Sequence, residues 1–151
     1  MEWSKHFDRD LRIGKNYEYI VLHNLQKKFP AAFKIEGAFK EYDIFIPEKE
    51  FGIEVKFDGK SNETGNILIE LEFPIGTLSG LSTTKSKYWI ITDGKDYFSI
   101  TPDSIRKFAK ENNIQSRPIR GQGDLQPKLV WLLPKQKFFD SCKKIELNPN
   151  I

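Results

Sequence analysis

The chain is poor in sulfur, with one cysteine, Cys142, and one methionine in 151 residues. A lone cysteine forms no internal disulfide, so a reducing, cytoplasmic setting is the simplest reading (the host cytoplasm, were the gene carried by a phage). His6 and His23 are the two histidines, too few with one cysteine to build a zinc site. Long apolar runs are missing as well; the longest are short, such as residues 129–133, which excludes a membrane-spanning helix. The polar opening Met1-Glu2-Trp3-Ser4-Lys5 leads us to expect no secretory leader. Charge of one sign is not in large excess either: 24 basic and 21 acidic residues leave +3, which permits a polyanionic partner without demanding one. Repeats, low-complexity tracts and linkers are also lacking, so residues 1–151 are read as one domain.

What the chain does have is large apolar side chains, twelve Phe, five Tyr and three Trp, within a soluble balance of 38% hydrophobic and 30% charged residues. That is enough to fill a single core. The apolar positions Val21, Leu22, Leu25 and Phe29 fall at helical spacing and predict a helix over 14–29, closed by Pro30. Glu18 precedes Val21 by three residues and Leu22 by four, so it lies on that apolar stripe. A carboxylate on the face that should be buried is the anomaly worth following.

Strands are expected at 32–35 and 40–46, then at 52–58 after the turn Pro47-Glu48-Lys49-Glu50. In the last of these Ile53, Val55 and Phe57 alternate with Glu54 and Lys56. Residues 67–73 alternate likewise. The Gly-, Ser- and Thr-rich stretch 74–86 reads as a loop with one helical turn at most. Residues 88–92 and 97–100 flank Asp93-Gly94-Lys95-Asp96 as a second hairpin. Thr101-Pro102-Asp103 starts a helix that runs to about Asn112, a loop covers 115–128, and a strand at 129–133 precedes a short helix after Pro134.

Three acid-x-Lys triplets occur: Glu54-Val55-Lys56, Asp58-Gly59-Lys60 and Asp93-Gly94-Lys95. The latter two have glycine at the centre and read as turns. Only the first lies in an alternating strand, which sends both charged side chains to one face. Asp43 stands eleven residues before Glu54, among Tyr42, Ile44 and Phe45 on the neighbouring strand, where aspartate is disfavoured without a reason. Two carboxylates beside a lysine suit a hard divalent cation, with room left for water and phosphate. The lysine then orients or deprotonates the attacking water, or stabilises charge on the phosphate. Glu18 can reach the same place from the helix.

A helix with Glu18, a strand with Asp43, then Glu54-Val55-Lys56 resembles the PD-(D/E)XK nuclease superfamily, which includes restriction enzymes, Holliday-junction resolvases and many phage nucleases. Thr64-Gly65-Asn66-Ile67-Leu68-Ile69-Glu70 and Ser79-Gly80-Leu81-Ser82-Thr83-Thr84-Lys85 are similar to stretches of a phage-type branch. Tyr42 departs from the family pattern, standing where the motif has its proline. The resemblance implies an α/β, restriction-endonuclease-like fold, a mixed central sheet of five or six strands flanked by helices. It further implies Mg²⁺ or Mn²⁺ held by Glu18, Asp43, Glu54 and the carbonyl of Val55, with Asp43, Glu54 and Lys56 as catalytic residues. The expected activity is hydrolysis of nucleic-acid phosphodiesters, more readily DNA than RNA, with a homodimer required for paired cuts. Lys60, Thr64, Asn66, Lys85, Lys87, Arg117 and Arg120 are the candidates for nucleic-acid contact.

Each feature has a plainer reading. Glu54 and Lys56 alone would make an ion pair on a solvated hairpin, Glu18 would serve the helix start, Thr64 and Asn66 would shape a turn, and Arg117 and Arg120 would decorate a solvated loop. The convergence of four charges weighs against coincidence. The rival functional reading is a catalytically silent nucleic-acid-binding module that keeps the same fold.

Overall fold

The computed structural model describes residues 2–37, 40–121 and 123–150, with side chains from residue 14 onward. Helix α1 (Glu2–Gln26) is longer than the apolar stripe predicts, beginning twelve residues earlier. The stripe itself behaves as read: Val21 and Leu22 are buried against Ala32, Ile44, Ile46, Ile53, Ile90 and Tyr97. The helix stops at Gln26, and Pro30 lies in the turn that follows.

The main sheet is mixed and six-stranded. Its strands are β1 (Phe33–Lys34), β2 (Ile44–Ile46), β3 (Phe51–Phe57), β5 (Tyr88–Thr92), β6 (Tyr97–Ile100) and β9 (Lys143–Ile145), in spatial order β1-β2-β3-β5-β6-β9. The pair β3–β5 is parallel, with Glu54 beside Trp89 and Lys56 beside Ile91; the remaining pairs are antiparallel. Between the parallel strands the chain forms the short helix α2 (Ser61–Thr64), strand β4 (Asn66–Glu72) and the expected single helical turn, Gly80–Ser82. Helix α3 (Pro102–Glu111) is capped by Thr101, whose hydroxyl accepts the Ser104 N–H. Strands β7 (Arg117–Ile119) and β8 (Lys128–Pro134) and helix α4 (Lys135–Asp140) lead to β9.

The architecture is thus α/β with a mixed sheet of the expected size, but a second sheet, β4-β8-β7, stands apart from it. Strand β4 pairs antiparallel with β8 from Asn66 beside Pro134 to Glu72 beside Leu129. The alternation in β4 sends Ile67 and Ile69 into a core completed by Trp89, Ile91, Phe98, Ile105, Leu133 and Phe138. One face of the six-stranded sheet therefore packs on α1 and the other on the small sheet with α3 and α4. Among the described residues no helix is long and apolar enough to cross a membrane.

The sequence predicts a strand over 40–46, yet pairing begins only at Ile44. The backbone ladder between β2 and β3 ends at Ile44 beside Ile53, with Asp43 N–H still donating to the Ile53 carbonyl. Beyond that point the carboxylate of Asp43, rather than a backbone carbonyl, accepts the Val55 N–H, at 2.7 Å. The two strands part there, and the site lies in the gap.

Candidate functional site

A cleft of about 550 Å³ opens where β2 leaves β3. Its lining includes Glu18, Asp43, Glu54 and Val55, the four positions expected to bind metal. Helix α1 supplies Glu18, the approach to β2 supplies Asp43, and β3 supplies Glu54. Glu18 and Asp43 are 8% and 3% exposed, so neither is a solvated surface acid. The local reading of Glu18 fails on position as well, because α1 begins sixteen residues before it.

Buried carboxylates need compensation, and two lysines provide it. The Lys40 ammonium lies 2.6 Å from Asp43 Oδ1 and 3.1 Å from Glu18 Oε1. Lys34 Nζ lies 3.3 Å from Glu18 Oε2 and 4.7 Å from the centre of the Tyr19 ring. Neither lysine stood out in the sequence. Lys40 read as the first residue of a strand and Lys34 as part of another, and nothing in their spacing marks an amine aimed at a distant helix.

The acids perturb one another. Burial pushes the Glu54 carboxyl up to about 9, helped by the nearby Asp43 charge and a hydrogen-bonding contact to Asp43. Burial also raises Glu18, again with Asp43 adding to the effect. Burial works against the charge on Lys40, but its pairs with Asp43 and Glu18 outweigh this and hold the ammonium above its ordinary value. Burial thus favours the proton on Glu54, while the carboxylate oxygens of Asp43 and Glu18 face the amines of Lys40 and Lys34. Among the described residues no three His, Cys, Asp or Glu side chains are already gathered as a metal cage. The oxygens of Glu18 and Asp43 are instead turned to the lysines, whose ammonium groups stand where an added cation would compete.

Lys56 follows Glu54 by two residues and so shares its face of β3, but it does not line the cleft. Burial depresses its ammonium below the ordinary lysine value; Asp58, Glu70 and Glu54 counter this, and Lys128 adds to it. Of these neighbours, Asp58 is committed elsewhere, its carboxylate accepting the N–H groups of Ser61 and Leu68. Glu70 pairs with Lys128 at 3.4 Å. Glu54 is the link between the cleft and this second group of charges.

The other candidates do not line the cleft. The Thr64 hydroxyl accepts the Asn66 N–H, so these two residues shape the turn into β4. Arg120 donates to the carbonyls of Asp124 and Leu125 within its own loop, and Arg117 begins β7 in the small sheet. Lys60 is exposed beside α2. Lys85 and Lys87 are exposed ahead of β5 and line a different hollow with Ser86, Thr101 and Arg106.

The cleft's lining offers the carboxylate oxygens of Glu18, Asp43 and Glu54 beside the amines of Lys34 and Lys40. Carboxylate oxygens fit a hard divalent cation better than a soft metal. Comparison with protein-family models, with curated proteins and with solved structures finds no match to this chain. The functional reading consequently rests on the cleft itself.

Proposed function

We propose that the protein is a divalent-metal-dependent nuclease of the PD-(D/E)XK type, in the restriction-endonuclease-like fold, hydrolysing phosphodiester bonds, most readily in DNA. The observation that carries this reading is the meeting of Glu18, Asp43, Glu54 and Val55 at one cleft where β2 parts from β3. Residues remote in sequence bring three carboxylates together at an energetic cost that a packing role does not explain.

Mg²⁺ or Mn²⁺ fits this donor set and would be held by Asp43 and Glu54, with Glu18 and the Val55 carbonyl completing it. Bound there, such an ion polarises a phosphoryl oxygen and makes water a better nucleophile. The chain's own contribution is positioning. The Val55 N–H fixes Asp43 by one oxygen, leaving the other turned into the cleft. Glu54 must shed its proton to bind a cation, which ties metal affinity to pH. Lys56, half-buried on the same face of β3 as Glu54 and with a weakened hold on its proton, is the residue we assign to orienting the water or countering charge on the phosphate. Lys60, Lys85, Lys87, Arg117 and Arg120 remain candidates for backbone-phosphate contact outside the cleft.

The test is a cleavage panel of single-stranded, duplex, flap and four-way-junction substrates with Mg²⁺ and Mn²⁺, run beside Asp43→Asn. Metal-dependent cutting abolished in the variant supports the reading. Nucleic-acid binding without cutting in any metal leaves the silent module, and neither binding nor cutting removes nucleic acid as the substrate class.

A further inference from the structure

The observations reach furthest at Lys40, which no motif singles out. Its ammonium is shared between Asp43 Oδ1 and Glu18 Oε1 at 2.6 and 3.1 Å, so it occupies the approach to the oxygens that a divalent cation would take. Both cannot stay. Two cations within a few ångströms repel strongly in a partly buried cleft, and each carboxylate oxygen has its best lone pair directed at one of them.

The surroundings decide which group moves. Asp43 is 3% exposed and is pinned through its other oxygen to the Val55 N–H at 2.7 Å. Glu18 is seated on a long helix whose apolar stripe is packed in the core. Lys34 has a side chain only 6% exposed and is stacked against Tyr19. Lys40 is the loosest, with a side chain 25% exposed and a flexible four-carbon stem. It is carried by the segment between β1 and β2, outside either strand.

We propose that Lys40 acts as a built-in counter-cation in the free protein and passes to a substrate phosphate when a divalent ion enters, which makes metal and nucleic acid bind cooperatively. This rests on the nuclease reading above. Metal arriving alone must strip Lys40 of two carboxylate partners and leave it unpaired. A phosphodiester arriving alone must draw the same lysine away from acids that then lack a counter-charge. When both arrive, the metal takes the carboxylates and the phosphate takes the ammonium, so each ligand removes the other's penalty. Linkage makes this gain reciprocal. Lys40 would thereby be a substrate-contacting residue that is engaged only in the metal-loaded protein.

Calorimetric titration with Ca²⁺, in the presence and absence of a short DNA duplex, tests this at mildly alkaline pH on wild type, Lys40→Met and Lys34→Met. In wild type the duplex should tighten Ca²⁺ binding by about tenfold or more, within the usual range of coupling between sites. Lys40→Met should bind Ca²⁺ alone about tenfold more tightly than wild type and should lose most of the duplex effect, whereas Lys34→Met should keep it. Thermal melting verifies that each variant is folded, and Lys40→Gln replaces the methionine variant if that one is not. Wild-type Ca²⁺ affinity in folded Lys40 variants, or an undiminished duplex effect, overturns the role of Lys40 and leaves the nuclease reading standing. Failure of every protein to bind Ca²⁺, Mg²⁺ or Mn²⁺ overturns both.

Discussion

Replacing Glu54 by Gln isolates one carboxyl whose titration the fold has moved far from normal. Glutamine has the shape and charge of the protonated side chain, so the variant freezes the metal-free, neutral-pH state. In the wild type, burial and Asp43 carry this carboxyl from 4.5 to about 9. The direction of the pH effect follows from proton counting. Between those two values the folded state holds a proton that the unfolded state has released, so raising the pH favours unfolding. The loss begins near the unfolded value of 4.5 and is complete near 9. At about 1.4 kcal/mol per pH unit, the whole gap is on the order of 6 kcal/mol. Solvent screening at a half-buried group and sharing of the proton with neighbouring acids reduce the expected contribution to about 2–3 kcal/mol. For a domain of this size that is roughly 6–10 °C in melting temperature. The assay is thermal melting in chelator from pH 5 to 9. Wild type should fall relative to Glu54→Gln as pH rises, and added Mg²⁺ should close the gap in wild type while leaving the variant unmoved. If the two proteins melt in parallel across this range, Glu54 is not held protonated and the electrostatic picture of the cleft is wrong.

Lys56→Met should retain divalent binding while single-turnover cleavage falls by about 10²–10³-fold; near-wild-type cleavage by the folded variant removes Lys56 from the mechanism. Asp93 accepts from the N–H groups of Lys95 and Asp96 at 2.9 and 3.0 Å and pairs with Lys135 at 2.9 Å. Burial opposes its charge, but these partners win and hold the carboxyl below its ordinary value. Its stabilising effect is therefore present at neutral pH and lost as pH falls through the folded value, so Asp93→Asn should cost about 1–3 kcal/mol in urea denaturation at pH 7 and progressively less in acid. Gly80 has φ +55°, and a Cβ there would run into the carbonyl oxygen of Glu70. Gly80→Ala should accordingly lower the urea midpoint by an amount worth about 1–3 kcal/mol, and an unchanged midpoint would mean the backbone relaxes freely at this crossing.

Parts of this molecule were open to reading from the sequence because local physics governs them. The stripe Val21-Leu22-Leu25 announced a helix with a buried side, and Glu18 on that stripe was conspicuous because burial penalises a carboxylate. The alternation around Glu54 and the awkward Asp43 among β-formers marked the other two acids. The Thr101-Pro102 start of α3 was equally plain, since capping depends on adjacent residues. Long-range placement was not readable. Alternation in β4 shows that one side is buried but does not name the partner strand, so the separate sheet β4-β8-β7 went unforeseen. Strand β9, only Lys143–Ile145, is too short and too basic to carry a pattern. Lys40 was misplaced in a strand because the ladder's end at Ile44 is set by the Asp43 side chain capturing the Val55 N–H, which no propensity encodes.

The cleft also depends on the distal part of the chain. Strand β9 pairs with β6, and Ile145 and Leu147 pack on the core that seats α1. Asn24 on that helix donates to the Asn148 carbonyl at 2.9 Å and accepts the Asn148 N–H at 2.9 Å, a reciprocal clasp between residues 124 positions apart. Closing so wide a loop comes late, because its entropy must be met before its contacts reward it. During synthesis α1 can coil as soon as it is made, yet the clasp that helps set its register against the sheet waits for residues 143–148 to emerge. Until then Glu18 rides on a helix held only by the apolar contacts of its stripe with residues 32–97. Under the proposed activity, the position of one metal-binding carboxylate would thus be tuned by a contact 124 residues away, so trimming residues 146–150 would loosen the cleft without touching its lining.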